Sequence, residues 1–327
     1  MKMLVTGAAG FLGTMLVERL HALSPNDSIV AVDTHAAGAP IPGTTRLAID
    51  IASPGEIARV VETHGPFERV WHLAAVVSGT AEADFDLGWR VNWDGTRFLL
   101  DALRGQAERL GIVARLAFTS SVAVFGGDLP EVVDDRTVAT PQWSYGMQKL
   151  ACEILIGDHT RKSFVDGRAI RLPTISVRPG APNGALSSFA SGIVREPMAG
   201  LPADLPVPDD TALWLLSPDA AVDALVRTNT LGADDFHGGI HGRGLNLPGL
   251  TVTVAEMLEA LRTVAGDDAV ARVRRVRDPR VEAVVGQWPA RFRTDRADAL
   301  GYRADTDFTD IVRRHAARIV ANDSRPE

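Results

Sequence analysis

Three polar residues near the middle of the chain have the types and spacing that proton and hydride transfer require. Tyr145 and Lys149 are four residues apart on a predicted helix and therefore share one face. Ser121 ends a predicted strand 24 residues before Tyr145. A free tyrosine has a pKa of about 10, but a nearby ammonium group or cationic ring favours its phenolate. That phenolate can take the proton of a hydroxyl held by Ser121 while hydride leaves the same carbon.

Each of these residues also has an ordinary structural explanation. Tyr-x-x-x-Lys occurs by chance on many helices, and serines often cap turns. The combination is harder to reach by chance, because the whole chain contains only two tyrosines. We therefore interpret Ser121, Tyr145 and Lys149 as catalytic residues.

The first thirteen residues predict where a hydride acceptor binds. Met3–Val5 is a short apolar run typical of a buried parallel strand, and an apolar helical pattern begins at Phe11. The glycine turn between them directs backbone N–H groups and a helix dipole toward one point, which suits a pyrophosphate. The glycine spacing is G-x-x-G-x-x-G rather than the usual G-x-G-x-x-G. The expected cofactor contacts in this turn are Gly7, Gly10, Phe11, Leu12 and Gly13.

Acidic residues at the ends of the next two strands predict the adenosine end of that site. Asp33 follows the last glycine by 20 residues, where a carboxylate accepts ribose hydroxyls and repels a 2′-phosphate. No arginine follows directly, so NAD is preferred over NADP. Asp50 and Ile51 end the predicted strand Leu47–Ile51. Their residue types fit an adenine contact and an ordinary turn equally well.

The wall of the cofactor site is predicted to follow the fourth strand, Val70–Leu73. Small residues there leave room for a ligand against the backbone. Asn92 lies amid apolar residues, and we expect its buried amide to bond the backbone. His72 and Cys152 are interpreted as core residues. The residues assigned to this wall are Leu73, Ala74, Ala75 and Asn92, with Ser78 within reach of substrate.

Alternating strands and helices over about 175 residues predict an α/β fold, a doubly wound parallel sheet of the Rossmann type. We expect a dinucleotide-binding domain over 1–175 and a smaller substrate lobe over 176–327, with some segments returning to the sheet. The predicted helices include one capped by Ser53 with Pro54 as its first residue, one over Glu82–Leu110, and one opened by Pro141.

Composition narrows the classes of partner. The net charge is −7 with little basic clustering, which argues against nucleic acid and an anionic membrane surface. The single cysteine allows no intrachain disulfide and fits a reducing compartment. No signal peptide or membrane span is apparent, so we expect a cytoplasmic protein. The scattered histidines predict no metal site.

Several motifs together resemble the extended short-chain dehydrogenase/reductases: TGAAGFLG, Asp33, FTSSVAVFG and YGMQK. The resemblance implies that Ser121 and Tyr145 bind the reacting oxygen. It implies that Lys149 holds the nicotinamide ribose and lowers the tyrosine pKa. Ser120 would lie beside the nicotinamide, with Pro173–Ile175 packed against it. A homodimer through the helices of 82–110 and 141–158 is also implied.

Two departures argue against a nucleotide-sugar substrate. Phe125 stands where many sugar-nucleotide relatives carry tyrosine, and RLPTISVRPG replaces their Arg-x-x-Asn-x-Tyr-Gly-Pro segment. The segments SYGMQK and SSFASGIVREP resemble those of D-erythronate dehydrogenases, which implies oxidation of a small sugar acid at C2.

A sugar acid needs a cation for its carboxylate and polar groups for its hydroxyls. Arg195 and Arg178 are the candidate anchors, although an ion pair of Arg195 with Glu196 is an equally good reading. Candidate hydroxyl contacts are Asn183, Ser187 and Ser188. Two rival functions stay open: an epimerase or dehydratase that keeps its NAD on a UDP-sugar, and a non-catalytic NAD sensor.

Overall fold

The computed structural model describes residues 1–36, 38, 40–180, 184–236 and 244–323. Within them the strands are β1 (Lys2–Thr6), β2 (Ser28–Asp33), β3 (Thr44–Ala48), β4 (Arg69–His72), β5 (Ala114–Ser121), β6 (Val165–Leu172), β7 (Thr174–Ile175), β8 (Ala203–Leu205), β9 (Ala212–Leu216), β10 (Gly244–Asn246), β11 (Leu250–Thr253) and β12 (Val273–Arg275).

The helices of the described residues are α1 (Phe11–Leu23), α2 (Glu56–His64), α3 (Ser78–Ala83), α4 (Phe85–Gly88), α5 (Gly95–Leu110), α6 (Ser144–Arg161), α7 (Phe189–Met198), α8 (Pro218–Thr230), α9 (Ala233–Phe236), α10 (Val254–Ala265), α11 (Asp267–Val270), α12 (Pro279–Val285), α13 (Asp295–Ala299) and α14 (Phe308–Asp323). A π-helical segment, Trp89–Asp94, joins α4 to α5, and 3-10 turns lie at Val122–Val124 and Leu186–Ser188.

The main sheet confirms the predicted α/β doubly wound architecture. Its described strands run in the order β10-β6-β5-β4-β1-β2-β3, and every pair is parallel. The strand order reverses between β1 and β4, and crevices for ligands form outside the carboxyl ends of the strands at such a point. Buried apolar residues cover both faces, which explains the apolar runs in β1 and β2.

The later part of the chain divides between a lobe and the main sheet. The strands β11-β9-β7 and β12-β8 form two small sheets that enclose a separate apolar core with α7, α10 and α14. In contrast, β10 pairs with β6, and α8 packs on the main sheet, where the Trp71 indole N–H donates to Leu225 O at 2.8 Å. The later part of the chain therefore contributes one strand and one helix to the main sheet.

The prediction for the third strand and the following helix was wrong at its boundaries. The strand β3 ends at Ala48, so Asp50 and Ile51 lie in a turn. The helix α2 begins at Glu56 after Gly55, whose φ of +83° is a left-handed conformation, and Ser53 does not cap it. The Glu56 carboxylate instead accepts a hydrogen bond from Asp50 N at 2.8 Å.

Two other helices also differ from their predicted bounds. The pattern over 82–110 is interrupted at Asp84, which is extended and caps α4 by accepting from Leu87 N at 2.9 Å. The helix predicted from Pro141 begins at Ser144, because Trp143 is still extended. Ser144 N donates to the carboxylate of Glu82 at 3.0 Å, which joins α3 to the start of α6.

Candidate active site

The glycine turn between β1 and α1 leaves no room for side chains. Gly7 has a φ of +71°, and a Cβ there would lie 2.6 Å from Ala74 N. A Cβ on Gly13 would lie 2.1 Å from Gly7 O. Both contacts are with backbone atoms, which cannot swing aside as a side chain can. The turn therefore brings the start of α1 close against the ends of β1 and β4, and its three glycines line a cavity.

Asp33 lies beside this turn, at the carboxyl end of β2. Its Oδ2 accepts a hydrogen bond from Ala9 N at 2.9 Å, and its Oδ1 accepts from Thr34 N at 2.7 Å. The carboxylate thus contacts the glycine turn directly, although it does not line the cavity that Tyr145 and Lys149 share. Its position agrees with the expected adenosine end of a dinucleotide site.

A cavity of about 350 Å³ opens at the carboxyl edge of the sheet, beside the glycine turn. Most of the residues expected at the cofactor and the reacting centre line it. The predicted residues on its wall are Gly7, Gly10, Phe11, Leu12, Gly13, Leu73, Ala75, Ser78, Ser120, Ser121, Tyr145, Lys149, Pro173, Ile175, Arg178 and Ser187. Ala74 does not line the cavity but lies against Gly7.

The structure brings Ser121, Tyr145 and Lys149 to the same cavity. The ammonium group of Lys149 is buried, donates to Thr119 O at 2.8 Å, and lies 5.6 Å from the centre of the Tyr145 ring. Ser121 Oγ accepts from Ala123 N at 3.1 Å, which fixes the hydroxyl at the strand end. The helix α6 and the strand β5 thereby set the three side chains at one point.

Burial moves the pKa values of the two titrating groups in opposite senses. Burial raises the pKa of Tyr145 to about 12, and the positive charge of Arg178 opposes this shift. Burial lowers the pKa of Lys149 to about 8, while Cys152 and Glu153 oppose that shift. Most of the lysine is therefore charged at neutral pH. The phenol needs the positive charges around it to act as a base.

Ser120, which was expected beside the nicotinamide, has its hydroxyl bonded to another side chain of the protein. Although it lines the cavity, its hydroxyl donates to Glu153, and the same carboxylate is bound by Arg171, with Nη2 to Oε2 at 2.8 Å. All three side chains are buried. Ser120 consequently anchors the end of β5 to α6 and β6.

Asn92 supports the wall rather than forming it. Its Oδ1 accepts from Val76 N at 2.9 Å, and its Nδ2 donates to Val76 O at 3.2 Å and to Gln148 Oε1 at 2.7 Å. Its amide bonds the backbone as expected, but it does not line the cavity. Asn92 therefore holds the loop after β4 against α6, and its role as a cofactor contact stays a prediction.

Asp50 and Ile51 take the turn role that the sequence left open. Asp50 accepts from Ala52 N at 2.9 Å and pairs with Arg90 at 2.9 Å. Ile51 is buried, and its side chain fills the space beside Gly95. Like Asp33, neither residue lines the cavity, and an adenine contact there stays a prediction.

The structure brings only some of the predicted substrate residues to the cavity. Ser78 lines the cavity and accepts from Leu186 N at 3.2 Å. Ser187 lines it too, but Ser188 does not. Arg195 does not line the cavity either. It pairs with Glu196 at 2.5 Å, which is the alternative that the sequence left open. Asn183 lies outside the described residues.

Trp288 lines the cavity and was not anticipated from the sequence. It follows α12, more than 100 residues after the other lining residues, and nothing in its local pattern marks it. In the part of the chain that the structure describes, His, Cys, Asp and Glu side chains do not gather in threes or more as metal ligands do. No described helix combines the length and apolar character that crossing a membrane requires.

The fold and this site define the class of Rossmann-fold enzymes that use a nicotinamide dinucleotide. The chain belongs to the NAD dependent epimerase/dehydratase family, whose model matches residues 3–210. This confirms the expected extended short-chain dehydrogenase/reductase resemblance.

Individual relatives are similar over nearly the whole chain. The chain is 48% identical over 325 residues to the D-erythronate dehydrogenase of Cupriavidus necator, covering 96% of this chain and 98% of that one. It is 37% identical to the D-erythronate dehydrogenase of Haemophilus influenzae, with 96% and 98% covered. The crystal structure of a nucleoside-diphosphate-sugar epimerase from Agrobacterium tumefaciens superposes with a TM-score of 0.90 at 40% identity, covering 98% and 95%.

Proposed function

We propose that this protein is an NAD-dependent dehydrogenase that oxidises D-erythronate at C2 to the 2-oxo acid. The observation that carries the proposal is the meeting of Ser121, Tyr145, Lys149 and Arg178 in one cavity beside the glycine turn. The names of the relatives from Cupriavidus necator and Haemophilus influenzae support this substrate.

The residues present fit NAD. The glycine turn admits a pyrophosphate close to the backbone, and Asp33 offers a carboxylate where the adenosine ribose of such a cofactor lies. A 2′-phosphate would meet the negative charge of Asp33, so NAD is favoured over NADP. When bound, NAD supplies the hydride acceptor and a positive charge on its nicotinamide ring.

The residues of the chain then share the proton chemistry. Ser121 donates a hydrogen bond to the substrate oxygen, and Tyr145 removes the proton of that hydroxyl. Lys149 keeps a positive charge 5.6 Å from the phenol ring, which favours the phenolate against the cost of burial. The proton passes from the hydroxyl to Tyr145 Oη as the C2 carbonyl forms.

The charge of the cavity favours an acid as substrate. Among the described residues that line it, Arg178 and Lys149 are charged, and none is an aspartate or glutamate. Since Lys149 is bonded to Thr119 O, Arg178 is the better placed cation for a carboxylate. We assign Arg178 as the carboxylate ligand and Ser78 and Ser187 as candidate hydroxyl contacts.

The decisive experiment follows NADH absorbance with purified protein, NAD and D-erythronate. Net NADH formation is expected, and Tyr145→Phe should lower kcat by at least about a thousandfold while NAD still binds, because the base is lost and the cofactor site is kept. No NADH with any four-carbon sugar acid would refute the proposal.

Two rivals give different results in the same assay. An epimerase, the function named for the Agrobacterium tumefaciens structure, would convert a UDP-sugar without net NADH. A sensor would bind NAD and turn over no substrate, in the wild type and in Tyr145→Phe alike. A panel of acids and UDP-sugars with NAD and NADP therefore separates the three.

We also propose a homodimer through α4, the π-helical segment and α6. Apolar side chains of these three elements are partly or largely exposed: Phe85, Trp89, Trp93, Met147 and Ile154. The rings of Phe85, Trp89 and Trp93 contact one another in turn, and exposed apolar side chains grouped in this way favour a partner surface. Sedimentation of the wild type and of Trp89→Asp tests this, with a dimer expected to become a monomer.

A further inference from the structure

The helix α7 fastens the segment that carries Arg178. Arg178 N donates to Ser191 Oγ at 3.0 Å, and Arg195 Nη1 donates to Arg178 O at 2.9 Å. Two residues earlier, Ser176 Oγ donates to Ala190 O at 2.8 Å. Both polar backbone groups of Arg178 are thus bonded to side chains of α7. The helix therefore fixes the point from which the Arg178 side chain enters the cavity.

Arg195 is itself held rigidly. Its side chain is only 12% exposed, and Nη2 pairs with Glu196 Oε1 at 2.5 Å while Nη1 bonds Arg178 O. Burial lowers the pKa of His315 on α14 to about 4, and the nearby charge of Arg195 contributes to this lowering. Arg195 does not line the cavity, whereas Arg178 does. The Arg195 guanidinium is therefore placed to bond the Arg178 backbone and the Glu196 carboxylate rather than a ligand in the cavity.

We infer that Arg195 is a positioning residue for substrate binding: by bonding the Arg178 carbonyl it fixes the guanidinium that takes the substrate carboxylate. This inference rests on the proposed function of Arg178 as the carboxylate ligand. An arginine side chain is long and rotatable, so a small turn of its backbone displaces the guanidinium by more than a charge-assisted hydrogen bond tolerates. Arg195 therefore acts on affinity for the acid and not on the chemistry of the hydroxyl.

The test compares variants of both arginines with an acid and its neutral analogue. Arg195→Met would leave the buried Glu196 carboxylate without its partner, so it is made together with Glu196→Gln, and Glu196→Gln alone is the reference. The other variants are Arg178→Met, the combination of all three substitutions, and Arg195→Lys, which keeps a charged donor. KM and kcat are measured with D-erythronate and with D-erythronamide, which keeps the hydroxyls and lacks the charge. Thermal unfolding and NAD binding verify that each variant is folded.

Arg178→Met is expected to raise KM for D-erythronate about thirtyfold, in line with loss of one charge-assisted pair. R195M/E196Q should raise it about tenfold over Glu196→Gln, with Arg195→Lys intermediate. In R195M/E196Q, the KM for D-erythronamide and both kcat values should stay within about twofold of Glu196→Gln. In Arg178→Met, kcat should fall as well, because the Arg178 charge opposes the raised pKa of Tyr145. The triple variant should equal Arg178→Met, because a positioning residue has nothing left to act on.

Other outcomes overturn the inference in distinguishable ways. A higher KM for D-erythronate in the triple variant than in Arg178→Met would show that Arg195 contacts substrate independently. Equal KM values for R195M/E196Q and Glu196→Gln would remove the positioning role and leave Arg178 as the ligand. An unchanged KM in Arg178→Met would remove the proposed carboxylate ligand and the inference with it. Equal losses for acid and amide would indicate a merely structural role.

Discussion

The hydroxyl of Ser120 and the carboxylate of Glu153 share a buried hydrogen bond directly behind the candidate catalytic centre. Glu153 lies one helical turn beyond Lys149, and Arg171 pairs with its carboxylate at 2.8 Å. The negative charge of Glu153 also opposes the lowering of the Lys149 pKa. One carboxylate thus ties the end of β5 to α6 and helps Lys149 to stay charged.

Replacing Glu153 by glutamine is expected to impair catalysis through Lys149. The change removes the negative charge that opposes the lowering of the Lys149 pKa, so this pKa should fall below about 8, and it leaves the buried Arg171 without its carboxylate partner. The alkaline limb of the kcat profile should move to lower pH, and stability should fall by about 3 kcal/mol. Steady-state rates from pH 6 to about 10 and urea unfolding measure both effects.

The matched control is Glu108→Gln, which breaks the exposed pair with Arg104 on α5. Exposed ion pairs of this kind contribute little to stability, so the kcat profile and the free energy of unfolding should match those of the wild type. A Glu153→Gln profile with its alkaline limb in the wild-type position would show that Glu153 does not act on Lys149.

How far the sequence predicted this site depended on how local each signal was. The glycine turn and the Tyr145–Lys149 pair are set within one turn or one helix, so spacing alone placed them on the cavity wall. In contrast, the residue type of Asp50 fits an adenine contact and a turn equally well. Its hydrogen bonds to Ala52 and Glu56 in the turn form only because β3 ends at Ala48, which the sequence does not show.

The lobe was less predictable because its site residues come from segments distant in sequence. Whether Ser187 or Ser188 faces the cavity depends on how the 3-10 turn packs against α12, which no local pattern specifies. The choice between Arg178 and Arg195 depends on the packing of α7, and Trp288 gave no signal at all.

Gly13→Ala is expected to disrupt cofactor binding. The new methyl group would lie 2.1 Å from Gly7 O and 2.7 Å from Ala8 Cα, so α1 must move away from the turn. NAD affinity should drop by more than about tenfold, and stability by about 1–3 kcal/mol. Fluorescence titration with NAD and urea unfolding measure the two losses.

Gly157→Ala on α6 is the paired control, because a Cβ there meets nothing within 4 Å. It should raise stability by about 0.5–1 kcal/mol, since alanine favours a helix, and leave NAD affinity unchanged. Wild-type NAD affinity in Gly13→Ala would contradict the close approach of α1 to the turn.

Asp33→Asn tests the preference between NAD and NADP. Removing the negative charge beside the glycine turn should lower KM for NADP about tenfold and raise KM for NAD, because a 2′-phosphate is no longer repelled. The ratio of kcat/KM for the two cofactors reports the change. Asp50→Asn serves as the control, because that carboxylate is occupied by Ala52 N and Arg90. A larger change of cofactor preference in Asp50→Asn would return Asp50 to the cofactor site.

We expect the buried ring of His72 to make the free energy of unfolding depend on pH. Its ring is fully buried between Thr6 Oγ1 at 2.7 Å and Thr96 Oγ1 at 2.9 Å, and burial lowers its pKa to about 3. An unfolded histidine titrates near 6.5, so the unfolded chain binds more protons between pH 6.5 and 3. The stabilisation is therefore complete above pH 6.5 and is lost as pH falls through that window.

Urea unfolding at pH 7.5 and 5.5 measures this loss, which linkage sets at about 1 kcal/mol for one such histidine. His72→Gln removes the titrating ring, so it should lose about 1 kcal/mol less than the wild type over the same interval, whatever its absolute stability. His35→Gln, at an exposed position, should follow the wild type. Equal losses in the wild type and His72→Gln would mean that the histidine keeps a nearly normal pKa when folded, and that the two threonines admit its charged form.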